Sequence, residues 1–489
     1  MSNLLGDLIK ELKEKLFGKV IEPKPKKLPN KRSRIQFKET ENTTRRPYFV
    51  QIGFDFGTAY SKCICRDVIT NKAWVHVPSG QEGRELPFLI PSTLIIDDFS
   101  ICKGSAHYQD NGLYHLKQAL EKIALQEWND PVIAPFRDWL DKLEGYRHDN
   151  GRLTKFVETC GVYFLAGAFG EVSKELKARL PGFGDLPDDY VAVNLAVPIA
   201  DAQQPAVNNF YSEVLCLAWS LADTLPGHPS INLDELTNLI HVAKQEMSAS
   251  IRDACFIYPE VSANVQGFVR SRASQPGIYL FSDTGAGTVD QAIFILNRNN
   301  NQDHLVYLHG SVLPLGSSLI ELYAASEFGK TDAEQLEIWR ERKERGFNDV
   351  CLLNARTTIS SRLNIGTTST LATSRRKLFL AQQINSIRVI FGGGGHSKNP
   401  YESAVIASFS GNQFANAINP PIVGIPNPQD LLLQDHQVRW LPRLSVAYGL
   451  SFIKEELARF TYPVNVAPPN PSPVWTVTNI PDAPTKDDC

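Results

Sequence analysis

The chain has 489 residues, long for one compact domain, so several domains or subdomains are expected. Hydrophobic residues make up 43% and charged residues 21%, which excludes a fully disordered or collagen-like protein. The formal net charge of −3 argues against a global nucleic-acid-binding charge; only the first 47 residues are basic, with thirteen Lys/Arg against six Asp/Glu.

Residues 1–20 read as an amphipathic helix. Leu5, Ile9, Leu12 and Leu16 fall on one stripe, with Leu4 and Leu8 beside them. The polar face mixes Asp7, Lys10, Glu11, Lys13, Glu14 and Lys15 and is nearly neutral. A membrane-surface helix usually carries a basic polar face, so docking onto a protein partner is the favoured reading, with packing on its own body as the alternative. Residues 21–47 hold Pro23, Pro25, Pro29 and many Lys/Arg and read as a basic linker, the one place where nucleic acid could be held.

The body begins at Tyr48. Apolar runs at Phe49–Ile52, Leu94–Ile96, Val191–Val197, Ile278–Phe281, Ala292–Leu296 and Ile387–Phe391, several flanked by glycine-rich turns, predict strands. Helices are predicted over Leu116–Gln126, Val172–Leu180, Ser212–Leu225, Leu233–Asp253, Ser317–Phe328, Asp332–Gly346 and Leu444–Phe460. This alternation argues for an α/β fold. Residues 461–489 form a Pro-rich tail.

The eight cysteines include no C-x-x-C pair, so reduced buried thiols are expected rather than a metal site. No run of about 18 apolar residues is present to span a membrane, and charges interrupt the apolar positions of the N-terminus. A reducing, cytoplasmic location is the expectation.

Two segments look like copies of one device. Gly53-Phe54-Asp55-Phe56-Gly57-Thr58-Ala59-Tyr60-Ser61 and Phe281-Ser282-Asp283-Thr284-Gly285-Ala286-Gly287-Thr288-Val289-Asp290 each read as strand, Asp, Gly-Thr turn, strand. Glycine permits a tight turn whose backbone N–H groups converge on an anion, and threonine adds a hydroxyl. The Asp can face a hydrated Mg²⁺. A third element, Val389-Ile390-Phe391-Gly392-Gly393-Gly394-Gly395-His396, places a glycine run after another strand.

These residues resemble the sugar-kinase/Hsp70/actin ATPase superfamily: Asp55–Ser61 its first phosphate motif, Asp283–Asp290 its second, Gly392–Gly395 its adenosine motif. Tyr258-Pro259-Glu260-Val261-Ser262-Ala263 resembles the first connecting motif of the Hsp70 branch, and Arg443-Leu444-Ser445-Val446-Ala447-Tyr448-Gly449-Leu450 the second. The resemblance spans roughly residues 48–460. It implies a two-lobed actin-like/Hsp70-like α/β fold built on two ribonuclease-H-like sheets with a nucleotide cleft between them. The first lobe is expected at 48–275 and the second at 276–442. A helix at 443–460 is expected to return to the first lobe.

The resemblance further implies ATP or ADP with Mg²⁺, held through water by Asp55 and Asp283. Gly57, Thr58, Ala59 and Tyr60 would cradle phosphates from the first hairpin, and Gly285, Ala286, Gly287 and Thr288 from the second. Gly392, Gly393 and Gly394 would meet the adenosine. Glu260 matches the position that orients the attacking water, and Lys117 resembles the lysine that neutralises the γ-phosphate. The chain departs from the branch at Ala286, where glycine is usual, and at His396, where the chaperones often have an arginine stacking on adenine; His396 is the candidate to stack there instead. Contacts to adenine from the second lobe are expected around Trp339–Arg345.

No β-rich substrate-binding domain is expected after Phe460, which disfavours a general peptide-holding chaperone. The reading is an ATPase serving as a nucleotide-controlled switch for a protein partner. The alternatives are an actin-like filament former, a small-molecule kinase and a nucleotide-binding scaffold that has lost hydrolysis; an oligomer is left open.

Overall fold

The computed structural model describes residues 45–144, 149–198, 204–225, 228–271, 274–299, 302–396, 399–410 and 417–469. The helix expected at 1–20, the linker up to 44 and the tail beyond 469 lie outside the described residues.

The fold is mixed α/β. The first sheet contains β1 (Phe49–Asp55), β2 (Tyr60–Asp67), β3 (Lys72–Val75), β4 (Tyr190–Val197) and β5 (Cys255–Pro259). Its order is β5-β4-β1-β2-β3; β2 runs antiparallel to β1 and β3, while β4 is parallel to β1 and β5. The second contains β6 (Gly277–Thr284), β7 (Val289–Asn299), β8 (Gln302–Leu313), β9 (Arg388–Gly392), β10 (Ile422–Val423) and β11 (Arg459–Thr461). Its order is β10-β9-β6-β7-β8-β11, with β7 antiparallel to β6 and β8, and β9 parallel to β6 and β10. Leaving aside β11 and the short strand Ile90–Pro91 that pairs with β2, the two sheets share one connectivity: fifth, fourth, first, second, third strand. The chain has built the same five-strand device twice.

The helices that matter here are α1 (Leu116–Ala124), α2 (Asn150–Arg179), α3 (Pro205–Leu221), α4 (Glu260–Asn264), α5 (Ser318–Phe328), α6 (Ala333–Glu344), α7 (Val350–Arg375) and α8 (Leu441–Leu450). β1 and β4 are buried along nearly their whole length, so they read as continuous apolar runs rather than alternating ones. One core joins β1 and β4 to α1, α2 and α3 through Phe54, Leu120, Phe164 and Leu195; another joins β6, β7 and β9 to α5 and α7 through Leu280, Ile293, Ile359 and Val389. α8 packs between β1 and α4. A Cβ on Gly449 would lie 1.8 Å from the Ala263 carbonyl oxygen, so only glycine allows that approach.

Several expected elements differ. The helix expected at Val172–Leu180 is the last part of the 30-residue α2, whose middle is buried on every side and so shows no one-sided stripe. The helix expected over Leu233–Asp253 is two helices, Leu233–Gln245 and Ala249–Ala254, and Ser248 caps the second by accepting from the Ile251 N–H. α7 was not expected, because its Thr/Ser-rich sequence has a weak apolar stripe. The helix expected at Leu444–Phe460 spans only Leu441–Leu450; Arg459–Thr461 instead adds β11 beside β8 of the second sheet, with His304 opposite Arg459. The segment 443–460 therefore does not return wholly to the first half.

Candidate functional site

The two hairpins occupy equivalent places in the two sheets. β1 ends on Asp55 and β2 resumes at Tyr60; β6 ends on Thr284 and β7 resumes at Val289. The register sets Asp55 opposite Lys62 and Asp283 opposite Asp290. The turns meet: a Cβ on Gly287 would lie 2.8 Å from Thr58 Cγ2. Behind the second turn, the N–H groups of Gly316, Ser317 and Ser318 donate to the carbonyls of Gly287, Gly285 and Ala286 at 3.1, 3.0 and 2.8 Å. With those carbonyls occupied, the turn's remaining polar groups are donors. The N–H groups of Thr58, Ala59, Ala286 and Gly287 have no protein acceptor among the described residues. Thr58, Ala59 and Ala286 line the cleft, and unpaired N–H groups at such turns suit an anion. Ala286 is not among the residues with positive φ, so its methyl group introduces no backbone strain.

A cleft of about 510 Å³ opens over these turns. Its floor is charged. Asp55, Glu260, Asp283 and Asp290 converge there with Lys62 and Lys117. Lys62 Nζ lies 2.8 Å from Asp55 Oδ2, and Lys117 Nζ 2.5 Å from Glu260 Oε2. Burial pushes the Asp283 carboxyl well above its ordinary range, reinforced by Glu260, Asp290 and Asp55. Burial alone lowers Lys117, but Glu260, Asp55 and Asp290 outweigh it and hold the ammonium above its usual value. Lys117 is the second residue of α1, whose N-cap His115 adopts a left-handed backbone (φ 59). The Tyr211 hydroxyl on α3 donates to the Lys117 carbonyl at 2.6 Å and fixes that turn from behind.

The opposite wall comes from the second half. Gly393 has φ +79, and a Cβ there would lie 2.2 Å from Asp283 Oδ1. Gly394 lies against Arg443, whose Nη1 would be 2.3 Å from a Cβ at that position. Arg443 of α8 lines the cleft, and burial lowers its pKa. α6 contributes Glu337, Arg340, Glu341, Lys343 and Glu344, followed by Arg345. Lys343 forms a buried pair with Glu321 of α5 at 2.5 Å. A strap from the first half, Ala106–Tyr108, crosses to this wall. His107 Nδ1 meets Glu337 Oε1 at 2.8 Å, the Tyr108 N–H donates to Glu337 Oε2 at 3.1 Å, and Arg340 donates to the Ala106 carbonyl.

Of the residues singled out from sequence, Asp55, Gly57, Thr58, Ala59, Tyr60, Lys117, Glu260, Asp283, Gly285, Ala286, Thr288, Gly393 and Gly394 line one cleft. Gly287 stands just behind, against Thr58 and Gln118. Gly392 lies inside β9 against the Phe281 ring, and His396 stacks on Phe391 at 6.3 Å with its Nδ1 2.8 Å from the Gly393 carbonyl oxygen; neither lines the cleft. Trp339 is buried against Phe328, so only the charged part of the expected Trp339–Arg345 stretch reaches the cleft. Lys62, Tyr108 and Glu321 were not singled out from sequence; Asp290 stood only as the last residue of the second hairpin motif, and Arg340 falls within the expected Trp339–Arg345 stretch. Lys62 and Asp290 had a signal, since each stands seven residues after the hairpin's Asp; Tyr108 and Glu321 are brought in by tertiary packing. Among the described residues, no group of three or more His, Cys, Asp or Glu is spaced to hold a metal ion directly. No protein-family model and no curated protein matches the chain. No helix among the described residues is long and apolar enough to cross a membrane.

Proposed function

We propose that this chain binds ATP with Mg²⁺ and hydrolyses it slowly, as a nucleotide-controlled switch for a protein partner. In this reading the two equivalent sheets are ribonuclease-H-like halves of an actin-like/Hsp70-like ATPase. The observation that carries it is the meeting of the two hairpin turns, Gly287 against Thr58, from equivalent positions in two sheets of identical strand order. A phosphate chain is the ligand that fits donors converging from both sides.

The residues present suit a hard cation. Four carboxylates crowd a buried floor, and their mutual repulsion, felt most at Asp283, is what a divalent cation relieves. Asp55 and Asp283 would hold it through its water shell, and when bound it supplies charge neutralisation for the phosphates.

The protein's own groups do the rest. N–H groups of both turns bind and orient the phosphates. Lys117 supplies positive charge beside them. Glu260, held by Lys117, is a carboxylate positioned to orient a water molecule. Arg443 beside Gly394 presents a guanidinium plane on the wall where His396 was expected to stack. Partner engagement is assigned to residues 1–20. Deleting them should leave nucleotide binding intact and abolish capture of the partner, and unchanged capture refutes that assignment.

Calorimetric binding of ADP and ATP to the full chain, with and without Mg²⁺, tests the central reading together with phosphate release. Absence of binding under all conditions sinks it. Sedimentation velocity in the same states separates a discrete switch from a nucleotide-dependent polymer.

A further inference from the structure

α4 is a single short helix directly after Pro259. Glu260 and Asn264 stand four residues apart on it, so their side chains share one face. Glu260 reaches back to Lys117 of α1, with 2.5 Å between Oε2 and Nζ. Asn264 reaches forward to the end of β6, where its Nδ2 donates to Asp283 Oδ2 at 2.5 Å. One turn of helix thus holds a charged group from each half of the molecule.

Asn264 is only 1% exposed, and its Oδ1 has no hydrogen-bond partner. A buried amide with an unsatisfied acceptor is costly, and the bond to Asp283 offsets part of that cost. Asp283 itself has little freedom. Asn264 holds Oδ2, while the Gly393 backbone crowds Oδ1 closely enough that a Cβ there would lie 2.2 Å away. Without the amide, nothing among the described contacts fixes the remaining rotation of the carboxylate toward Asp290 and Asp55.

We infer that Asn264 is a positioning residue: it sets the orientation of the Asp283 carboxylate and ties it to Glu260 through one helical turn. Cation affinity then depends on an amide that touches neither nucleotide nor metal. Residues that orient a metal-holding group through a hydrogen bond have this effect generally. The inference rests on the nucleotide-binding reading above and goes beyond it by naming what orients its cation site.

The test is calorimetric ADP binding to the full chain across a Mg²⁺ titration. Asn264→Ala and the near-isosteric Asn264→Leu should raise the Mg²⁺ concentration for half-saturation by about tenfold. ADP affinity in EDTA should stay near the parent value, while the melting temperature without nucleotide should fall modestly because the buried Asp283 carboxyl loses its partner; a merely structural role would lower the melting temperature and leave the Mg²⁺ requirement alone. Asn264→Ser keeps a short hydroxyl donor and should recover part of the effect. If the alanine variant fails to fold, the leucine variant preserves the side-chain volume and serves in its place. A folded variant with the parental Mg²⁺ requirement overturns the inference and leaves the nucleotide reading standing. A parent chain that binds no ADP at any Mg²⁺ concentration overturns the nucleotide reading, and this inference with it.

Discussion

Lys117 Nζ lies 2.5 Å from Glu260 Oε2, although 143 residues separate them in sequence. Both side chains are about nine-tenths buried. Breaking such a pair from one side leaves an uncompensated charge. Lys117→Met strands Glu260 among Asp55, Asp283 and Asp290 and should destabilise the chain by about 3–5 kcal/mol in denaturant unfolding. Glu260→Gln keeps the shape and leaves a neutral acceptor, so its stability cost should be smaller. On the proposed function, Glu260→Gln also lowers ATP turnover by about a hundredfold or more while ADP still binds. Undiminished turnover removes Glu260 from its assigned role.

Gly393 has φ +79 and lies against both Asp283 and the Thr284 carbonyl. An added methyl meets backbone and a buried carboxylate at once. Gly393→Ala should therefore cost about 1–3 kcal/mol in stability and weaken ligand binding in the cleft. Gly424 has no atom within 4 Å of its would-be Cβ, so Gly424→Ala is the control and should be near neutral. Equal melting temperatures for the two variants would contradict the steric account.

Asp189 predicts an acid response. Burial raises its pKa, but Arg45 at 2.6 Å and the N–H groups of Tyr48, Gly184 and Leu186 outweigh that and hold it below the usual carboxylate value. A carboxyl depressed in the folded state contributes stability that is present above its unfolded pKa and lost as pH falls through the folded pKa. Asp189→Asn should lower stability at neutral pH by about 1–3 kcal/mol and leave the chain less sensitive to acid below pH about 4. Parallel stability–pH curves for parent and variant would show that the group does not contribute in this way.

Glu337 ties the Ala106–Tyr108 strap to α6 beside the cleft by accepting from His107, the Tyr108 N–H and Arg340. On the nucleotide reading this strap slows ligand escape. Glu337→Ala should speed release of a fluorescent nucleotide by about tenfold, equivalent to losing about 1.4 kcal/mol of closure, with little change in association. Stopped-flow chase experiments read both rates. An unchanged release rate would mean the strap opens independently of the ligand.

The hairpins were legible from sequence because their information is local. A strand, an Asp, a Gly-Thr turn and a second strand lie within about ten residues, and turn chemistry depends on those residues alone. Asp55 and Asp283, and the turns beside them, could be singled out on that basis. Lys117 and Glu260 could be named one at a time, but their pairing could not, since nothing at either position encodes the other. Asn264 carried no signal, because an asparagine in a short helix acquires a role only through the carboxylate it meets.

Elements without a one-sided pattern were the ones misplaced. α2 is buried around its middle, so no stripe marks it, and α7 hides in a Thr/Ser-rich run. β11 read as the end of a helix, because its place beside β8 is a long-range pairing. The sequence by itself determined the alternation of strands and helices and the two Asp-bearing, glycine-rich hairpin turns, which follow from periodicity and local backbone preference. Only the tertiary structure decided that those turns face each other, that Arg443 rather than His396 reaches the cleft wall, and that four carboxylates share one buried floor. Those outcomes depend on distance across the packed molecule, where burial turns separate side chains into one electrostatic unit.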